Sequence, residues 1–245
     1  KDRRIRSLTN EDMQSFISQL AMKYSPKTVK NIYGLLTASI SMYDSMIHFV
    51  VTLPPRPASR PQAPDVKEIQ TLYNAAGPKM KMYIYLAMCG LRRGEICAIK
   101  YEDIKDGVLH IHADMVLNKD NKFVYKEIPK TAGSDRYITL PGKLLEQIGE
   151  GEGFVVKCNP STLSNDFRRF KHRFGITLRL HDMRHYFASA AVALGIPDIY
   201  TADMGGWSRS GTSSVMKEVY QNNIKDMSEH YQKLINEHIE KIVEG

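Results

Sequence analysis

The sequence predicts a mainly helical α+β fold with a small antiparallel sheet, divided into two domains. Three observations lead to this prediction. Apolar residues recur at helical spacing over most of the chain, three short β-branched and aromatic runs follow one another near its middle, and prolines interrupt the pattern at residues 54–64. With 245 residues, of which 42% are hydrophobic and 25% charged, the chain can bury a core in one or two domains.

The first predicted domain spans residues 1–53 and is a small helical piece. Thr9 and Asp12 form a capping signature ahead of one helix, and Ser25 followed by Pro26 opens a longer one. A piece of this size buries too little surface to be stable alone. We therefore expect a domain that is incomplete at its start.

Residues 54–64 are predicted to be a linker. Five of the eleven prolines lie in residues 52–64, where they prevent a helix or a central strand. Prolines favour an extended backbone, so this stretch suits a strap that lies across a charged ligand through Arg56 and Arg60. A plain spacer between domains explains the same composition nearly as well.

The second predicted domain spans residues 65–245 and contains the sheet. Asp65 and Glu68 are interpreted as a capping box for its first helix, and Gly90 as the end of its second. Three runs rich in β-branched and aromatic residues then predict an antiparallel meander: VLHIHADMV, FVYKEIP and RYITLP. Helical spacing returns after the strands and ends with a tail helix over residues 226–243.

The net charge of +7 and the pI of about 9.2 favour a polyanionic partner. Residues 1–64 are the most basic part, with nine Lys or Arg against four Asp or Glu. No run approaches the roughly 18 apolar residues of a membrane span, and the opening KDRRIRSLTN lacks the apolar centre of a signal peptide. The three cysteines form no Cys-x-x-Cys pair. These features predict a cytoplasmic protein with neither a disulfide framework nor a thiolate zinc site.

The stretch HDMRHYF places two histidines and an arginine on one side of a predicted helix. His181 and His185 have the i, i+4 spacing that can present two imidazoles to zinc, as in His-Glu-x-x-His metalloproteases. Here, however, the acid is Asp182, which is shorter than Glu, and Arg184 lies where it would oppose a metal cation. The alternative ligand is an anion, which Arg184 would bind.

Two further stretches favour the anion. CGLRRGE places Arg92 and Arg93 just after the helix-ending glycine, and Glu95 lies three positions beyond Arg92, where it could orient the guanidinium. PKTAGSDRYITL places Lys130 at the expected tip of a hairpin, from which a flexible ammonium can reach a neighbouring groove. The sequence therefore predicts that several cations at the ends of ordered elements converge on one anion.

These motifs, in this order, resemble those of the tyrosine site-specific recombinases, often called phage integrases. GLRRGE is similar to the first arginine box of that family, PKT with RYITLP to its β-hairpin lysine, HDMRHYFASAAVALGI to its His-x-x-Arg box and MGGWSRSGTSSVMKEVYQN to its terminal block. The resemblance implies a helical core-binding domain over residues 1–53 and a catalytic domain over residues 65–245. It also implies a recombinase that cleaves and rejoins DNA through a 3′-phosphotyrosyl intermediate, integrating or excising a mobile element.

The resemblance assigns roles to the motif residues. Arg92 and Arg184 would hold the non-bridging oxygens of the scissile phosphate, with Glu95 kept as the supporting residue that its spacing from Arg92 suggests. Lys130 protonates the leaving 5′ oxygen, and His181 donates to the phosphate or handles the tyrosine proton. No metal is implied, and no nucleotide cofactor is needed because a phosphotyrosyl ester replaces one phosphodiester and the bond energy is retained.

Trp207 and Tyr220 complete the implied site. Trp207 stands where many members of that family carry a histidine, and its indole N–H can donate one hydrogen bond and pack but cannot shuttle protons. Tyr220 would be the nucleophile, and its phenol must lose a proton as it attacks because the reference pKa of tyrosine is about 10. His185 is interpreted as a hydrogen-bonded core histidine.

The implied partner is double-stranded DNA, bound by four copies of the chain. The family uses its tail to dock in trans, so helix 226–243 is expected either to link four protomers or to pack on its own domain. An accessory directionality factor is a further possible partner. The expected DNA contacts are Lys27, Lys30, Arg168, Arg169, Lys171 and Arg173, together with Arg56 and Arg60.

Two other functions stay open at this stage. A type IB topoisomerase shares the chemistry, but it relaxes one DNA molecule rather than joining two. A basic DNA-binding regulator could keep the same fold without catalysis. Formation of a covalent protein–DNA adduct separates the regulator from both enzymes, and the joining of two DNA partners separates the recombinase from the topoisomerase.

Overall fold

The computed structural model describes residues 4–56, 64–127, 135–207 and 224–244. The chain divides into two compact units, Lys1–Pro61 and Gln62–Gly245. The division falls inside the proline-rich stretch of the sequence. The core-binding role of the first unit and the linker role of the prolines stay predictions.

Over its described residues 4–56, the first unit contains two α-helices, α1 (Asn10–Ala21) and α2 (Pro26–Tyr43). The predicted capping signals are present in the structure. Thr9 and Asp12 exchange side-chain to backbone hydrogen bonds of 3.2 and 3.0 Å, and Ser25 Oγ accepts from an amide of the first turn of α2 at 3.3 Å. Four apolar side chains of the two helices are buried: Met13, Ile17, Val29 and Ile40.

The second unit is mainly helical. Its first helix is capped differently from the prediction, because Asp65 Oδ1 accepts from the Lys67 amide at 2.9 Å and the described contacts include no capping box with Glu68. The stop at Gly90 is present, with a φ of +85° that favours glycine. The helices are α3 (Val66–Ala75), α4 (Pro78–Met88), α5 (Arg93–Ala98), α6 (Gly142–Ile148), α7 (Pro160–His172), α8 (Leu180–Ala193), α9 (Asp198–Gly205) and α10 (Ile224–Glu244).

The described strands of the second unit form two antiparallel sheets, so the predicted single meander is wrong. The strands are β1 (Ile104–Lys105), β2 (Val108–Ile111), β3 (Ala113–Leu117), β4 (Phe123–Glu127) and β5 (Arg136–Thr139). One sheet has the order β1–β2–β5, and the other pairs β3 with β4. The predicted strand VLHIHADMV is divided at His112, whose Nε2 lies 2.9 Å from Asp103 Oδ1 and so holds the chain where the pairing partner changes.

The core of the second unit lies where α4 and α8 pack together. Ile84, Leu86 and Met88 are fully buried on α4, and Met183 and Phe187 are buried on α8. The end of α4 and the first turns of α8 are therefore anchored in this core, and two arginines of the candidate site, Arg92 and Arg184, lie just after the first and within the second. Among the described helices, none is long and apolar enough to cross a membrane.

The tail helix α10 packs on its own unit in this single chain. Gln232 Oε1 accepts from the Thr139 amide at 2.6 Å, and Asn236 Nδ2 donates to the Thr139 carbonyl at 2.8 Å. Both bonds use backbone groups of β5, which is one of the two edge strands in the β1–β2–β5 sheet. Tyr186 OH and His238 Nε2 lie 2.8 Å apart and join α10 to α8. Side-chain amides of α10 thus satisfy the open edge of the sheet.

Candidate active site

The start of α5 brings Arg92 and Glu95 together. Arg92 precedes the helix, its amide donates to Glu95 Oε2 at 2.8 Å, and its Nη1 donates to Glu95 Oε1 at 2.6 Å. Its Nη2 donates to the carbonyl of Gly206 at 2.5 Å. The side chain of Arg92 still keeps 36% of its surface exposed. The guanidinium is therefore held from two sides and remains accessible to a ligand.

Arg184 is buried in α8, with 2% of its surface exposed. Its Nη1 donates to the carbonyl of Gly90, at the turn that follows α4. Its guanidinium carbon lies 4.1 Å from the centroid of the Trp207 ring, which is a cation–π contact. Among the described residues, Arg184 Nη2 has no hydrogen-bond partner. A buried N–H of a cation is costly when it is left unpaired, so this group calls for an acceptor.

The electrostatic setting of Arg184 also calls for an anion. Desolvation is the larger cause and the charge of Arg92 the next, and together they lower the pKa of Arg184 to about 9. The guanidinium is still protonated at neutral pH. An anion bound between Arg92 and Arg184 would remove their mutual repulsion and replace part of the lost hydration.

Trp207 is held by close packing at the end of α9. Gly206 ends that helix in the left-handed conformation, with φ 66° and ψ 37°. A Cβ on Gly205 would lie 1.8 Å from the Trp207 ring, so only glycine fits there without moving the ring. The indole also stacks on Phe187, with ring centroids 6.2 Å apart. Trp207 therefore has the geometry of a fixed support beneath Arg184.

Arg136 belongs to this site, although the motif analysis did not single it out. Its Nη1 and Nη2 donate to the two Glu95 oxygens at 3.1 and 2.9 Å, and its Nε donates to the Met204 carbonyl at 2.9 Å. The sequence did contain a signal for it. Ile138 lies two positions further along the strand, so alternation places Arg136 on the core-facing side, where an arginine needs a buried partner.

Glu95 is shared by two guanidiniums and is 2% exposed. Burial opposes its ionisation, but the hydrogen bonds and charge of Arg136, followed by those of Arg92, outweigh burial and hold the pKa of Glu95 below its ordinary value. We call Arg92, Arg136, Arg184 and Glu95 the buried arginine cluster. It contains three guanidiniums and one carboxylate, and this excess of positive charge suits a phosphate diester, which guanidinium N–H groups bind well.

His181 lies in the first turn of α8, one turn before Arg184. The imidazole is solvent-accessible, and its ring centroid is 4.7 Å from that of His185. The desolvation that it does experience, then the charges of His185 and Arg184, lower the pKa of His181. At neutral pH its imidazole is therefore uncharged and able to accept a proton. The interpretation of His185 as a core histidine is wrong, because this residue is exposed.

Asp182, which suggested a metalloprotease motif, caps α8. It accepts from the Arg179 amide at 2.8 Å and from the Arg179 side chain at 2.7 Å. Within the described residues, no group of three or more His, Cys, Asp or Glu side chains is arranged to hold a metal ion. The acid of HDMRH thus has a local structural role at the helix start.

Arg92 and His181 open into one cleft of about 720 Å³. Arg93 Nη1 donates to Ser164 at 3.3 Å and so links α5 to α7 beside it. The sequence analysis missed Asp114, which lines the same cleft; burial, followed by the charge of Glu95, raises the pKa of Asp114. The basic side chains that line the cleft are Arg92, Arg93, Arg168, Lys171, Arg179 and His181.

Four of the expected DNA contacts lie on or just after α7, and we call them the basic face of α7: Arg168, Arg169, Lys171 and Arg173. Arg168 and Lys171 line the cleft, and Lys171 Nζ donates to the Thr177 carbonyl at 2.6 Å. Arg169 and Arg173 are exposed. This face therefore borders the buried arginine cluster and is itself solvated.

Three other expected contacts are described in the first unit. Lys27 and Lys30 are exposed and three residues apart on α2, so they share one helix face. Arg56 is exposed in the stretch after α2. Arg60 lies outside the described residues. A role of these side chains in DNA binding stays a prediction.

Lys130 and Tyr220 also lie outside the described residues, so their implied roles stay predictions. The hairpin expected around Lys130 is wrong in one respect. Strand β4 pairs with β3 and strand β5 pairs with β2, so the strands before and after Lys130 belong to different sheets. Predicting each strand from its own residues missed this arrangement, because β propensity does not specify which strands pair.

The chain matches the model of the Phage integrase family over residues 65–223. A curated relative, a tyrosine recombinase of Pseudothermotoga lettingae, is 29% identical over 171 residues, which cover 66% of this chain and 59% of the relative. The chain thus spans about three fifths of the length of that relative.

Two solved structures are similar in fold. An integrase of the Tn1549 transposon in complex with a circular intermediate DNA has a TM-score of 0.68 at 14% identity, over 91% of this chain and 89% of that one. A lambda integrase dimer bound to a COC′ core site has a TM-score of 0.59 at 18% identity, over 90% of this chain and 82% of that one. At these identities the likeness establishes the fold, which is the tyrosine recombinase fold with helices and small antiparallel sheets.

Proposed function

The chain belongs to the phage integrase family, and we propose that it is a site-specific DNA recombinase that integrates or excises a mobile element. The observation that carries this proposal is the pair of guanidiniums Arg92 and Arg184, which are close enough for the charge of Arg92 to lower the pKa of Arg184, with Arg92 lining the cleft. One of them is exposed at the cleft, and the other has a buried N–H group without a partner among the described residues. A DNA phosphate fills both requirements.

In the proposed reaction, the Tyr220 oxygen attacks the scissile phosphorus and the bond from phosphorus to the 5′ oxygen breaks. His181 accepts the tyrosine proton, and Lys130 gives a proton to the departing 5′ oxygen. The product is a 3′-phosphotyrosyl ester, and a 5′ hydroxyl of the partner strand reverses the same steps to rejoin DNA. Arg92 and Arg184 stabilise the extra negative charge of the transition state more than that of the ground state.

The proposed substrate is double-stranded DNA at element ends or attachment sites, and the proposed assembly has four copies of the chain. Helix 226–243 of each copy would dock on a neighbour. What supports this exchange is that the described hydrogen bonds of Gln232 and Asn236 go to backbone groups of β5, which every copy offers. The proposal places the reaction in the cytoplasm and allows a separate directionality factor.

The test uses a 5′-labelled duplex of a candidate element end, with a nick just beyond the scissile phosphate so that cleavage releases a short fragment and cannot be reversed. We expect a labelled covalent adduct on a denaturing gel, with the DNA-linked peptide containing Tyr220. Tyr220→Phe should bind the duplex and form no adduct. Tyr43→Phe is the matched control, since Tyr43 is 69% exposed on the first unit, and it should form the adduct normally.

The other outcomes of this test identify the alternatives. Binding without an adduct in the unaltered protein indicates the DNA-binding regulator and contradicts the proposal. If the protein forms the adduct and relaxes supercoiled plasmid of any sequence, but does not join two DNA partners, it is the topoisomerase. Joining of two labelled duplexes of different length at the mapped phosphate supports the recombinase.

A further inference from the structure

Arg136 is a buried arginine to which neither the motifs nor the proposed reaction gives a role. It is the first residue of β5, it is 7% exposed, and it lies opposite Ile111 in the strand register. It is not among the described residues that line the cleft. Arginine is rarely buried unless it is paired, so the partners of Arg136 indicate its role.

The first set of contacts runs through Glu95. Arg136 binds both Glu95 oxygens through Nη1 and Nη2, and the same two oxygens accept from Nη1 and the amide of Arg92. A carboxylate bound by two guanidiniums in a fork geometry has one orientation available to it. The direction of the Arg92 guanidinium is therefore set by Glu95, and that of Glu95 is set by Arg136.

The second set of contacts runs through the end of α9. Arg136 Nε donates to the Met204 carbonyl, and Arg92 Nη2 donates to the Gly206 carbonyl. The last carbonyls of a helix lack partners within the helix and carry partial negative charge, so both contacts are favourable. Arg136 and Arg92 are thus held against the same helix end as well as against the same carboxylate.

We propose that Arg136 is a positioning residue that holds Arg92 in its phosphate-binding direction through Glu95. This role rests on the proposed recombinase function. Arg136 itself contacts the carboxylate and the helix end, and its effect on the reaction passes through the relay from Arg136 to Glu95 to Arg92. The planar guanidinium is needed because it supplies two parallel N–H donors to Glu95 and a third donor to Met204 at once.

The test compares Arg136→Lys with the unaltered protein in single-turnover cleavage of the nicked duplex at saturating DNA. A lysine keeps the charge but is a point donor and cannot bind Glu95 in a fork. We expect the cleavage rate constant to fall by about 10- to 100-fold, since small displacements of a phosphate-binding group have effects of that order. DNA affinity should change by less than about 3-fold, because the lost interaction acts in the transition state.

The rate constant and the amplitude of cleavage together distinguish a positioning defect from a loss of folded protein. A merely structural defect lowers the fraction of active molecules and hence the amplitude, while a positioning defect lowers the rate constant of the molecules that do react. Arg6→Lys is the matched control. Arg6 binds Asp44 through Nε and Nη2 at 3.1 Å, but it is 76% exposed on the first unit, so its replacement should leave the rate constant unchanged.

A double-mutant cycle with Glu95→Gln tests the path of the relay. We expect Glu95→Gln alone to slow cleavage, and the addition of Arg136→Lys to slow it further by less than about 3-fold, because residues of one network are not additive. If the fold decrease in the rate constant of the double variant equals the product of the two single decreases, Arg136 acts by another route and the inference is overturned. An unchanged rate constant in Arg136→Lys or in Glu95→Gln would overturn it as well.

Failure of this inference is distinguishable from failure of the proposed function. If the unaltered protein forms no adduct, the recombinase proposal is overturned and the role of Arg136 with it. If the unaltered protein forms the adduct and the cycle is additive, the positioning role alone is overturned. Should Arg136→Lys not accumulate as folded protein, Arg136→Gln replaces it in the same cycle, and the rate constant of Glu95→Gln still decides whether the relay exists.

Discussion

The buried arginine cluster and the basic face of α7 carry the same kind of charge in opposite settings. Arg184 and Arg136 are 2% and 7% exposed and donate to fixed oxygens, while the side chain of Arg169 is 76% exposed. Desolvated and oriented cations interact strongly with one anion geometry, whereas exposed charges are screened by salt and contribute little each. From this comparison we propose that the cluster carries the chemistry and that the α7 face contributes affinity for the DNA backbone.

The largest expected effect is that of Arg184→Lys. The ammonium cannot keep the bond to the Gly90 carbonyl, the stacking on Trp207 and the remaining N–H donor at once. We expect the cleavage rate constant to fall by about 10² to 10³, as for the loss of one donor to a developing oxyanion. Single-turnover cleavage of the nicked duplex at saturating DNA measures it, with Arg6→Lys as the control.

One result for Arg184→Lys would contradict a catalytic role for the buried cations. If Arg184→Lys cleaved within about 3-fold of the unaltered protein but bound DNA much more weakly, uniform binding rather than transition-state stabilisation would be its role. The cluster would then serve affinity, just as the α7 face is expected to do.

A smaller effect is expected from the titration of His181. Desolvation and the charges of His185 and Arg184 lower the pKa of His181, so the imidazole stays uncharged until the pH falls below its ordinary value of 6.5. Protonation then removes the acceptor for the tyrosine proton, and we expect the rate to fall by about tenfold for each further pH unit. The unfolded chain binds this proton more readily than the folded one, so His181 also lowers stability as the pH falls in this range.

One substitution should shift the pH at which this fall in rate on acidification occurs. His185→Gln removes the charge of His185 that helps to lower the pKa of His181, so this pKa should rise and the fall in rate on acidification should begin at higher pH. A pH series of single-turnover rates measures the shift, and His48→Gln in the first unit is the matched control. If the pH at which the rate falls is unchanged in His185→Gln, or if the rate rises on acidification, the assignment of His181 as acceptor is contradicted.

The smallest effect on the chemistry is expected on the α7 face. Replacing Arg168 and Lys171 by glutamine removes two charges beside the cleft. If each contacts a phosphate, the slope of log affinity against log salt should decrease in magnitude by about 2, since each contact contributes about 0.9. Binding measured across a salt series tests this, and the cleavage rate constant at saturating DNA should stay within about 3-fold.

Lys67→Gln provides the control for this series, because Lys67 is exposed on α3 and is not among the residues that line the cleft. An unchanged salt slope in the Arg168 and Lys171 variant would show that the α7 face is only a solvated surface. A large loss in the rate constant would show that the exposed and buried cations act as one unit, and the contrast between them would no longer hold.

Local signals in the sequence predicted most helix starts, but one cap formed with a different local donor and one predicted strand was divided between distant partners. The caps at Thr9 and Ser25 formed because donor and acceptor lie within three residues of each other. Asp65 has the same chemistry, yet its carboxylate took the Lys67 amide in preference to the arrangement expected with Glu68. The strand expected through His112 was divided because its two halves pair with different strands, which propensity does not specify.

The order of motifs along the sequence by itself determined the residue types of the site: an arginine after a helix-ending glycine, a histidine one turn before a second arginine, and a tryptophan after two glycines. Only the tertiary structure decided how they meet. Arg136 reaches Glu95 across 41 residues, Arg184 reaches Gly90 across 94, and Arg92 reaches Gly206 across 114. The physical reason is that caps and periodic faces depend on interactions within a few residues, whereas a buried charge takes whichever partners the packing of the whole unit brings to it.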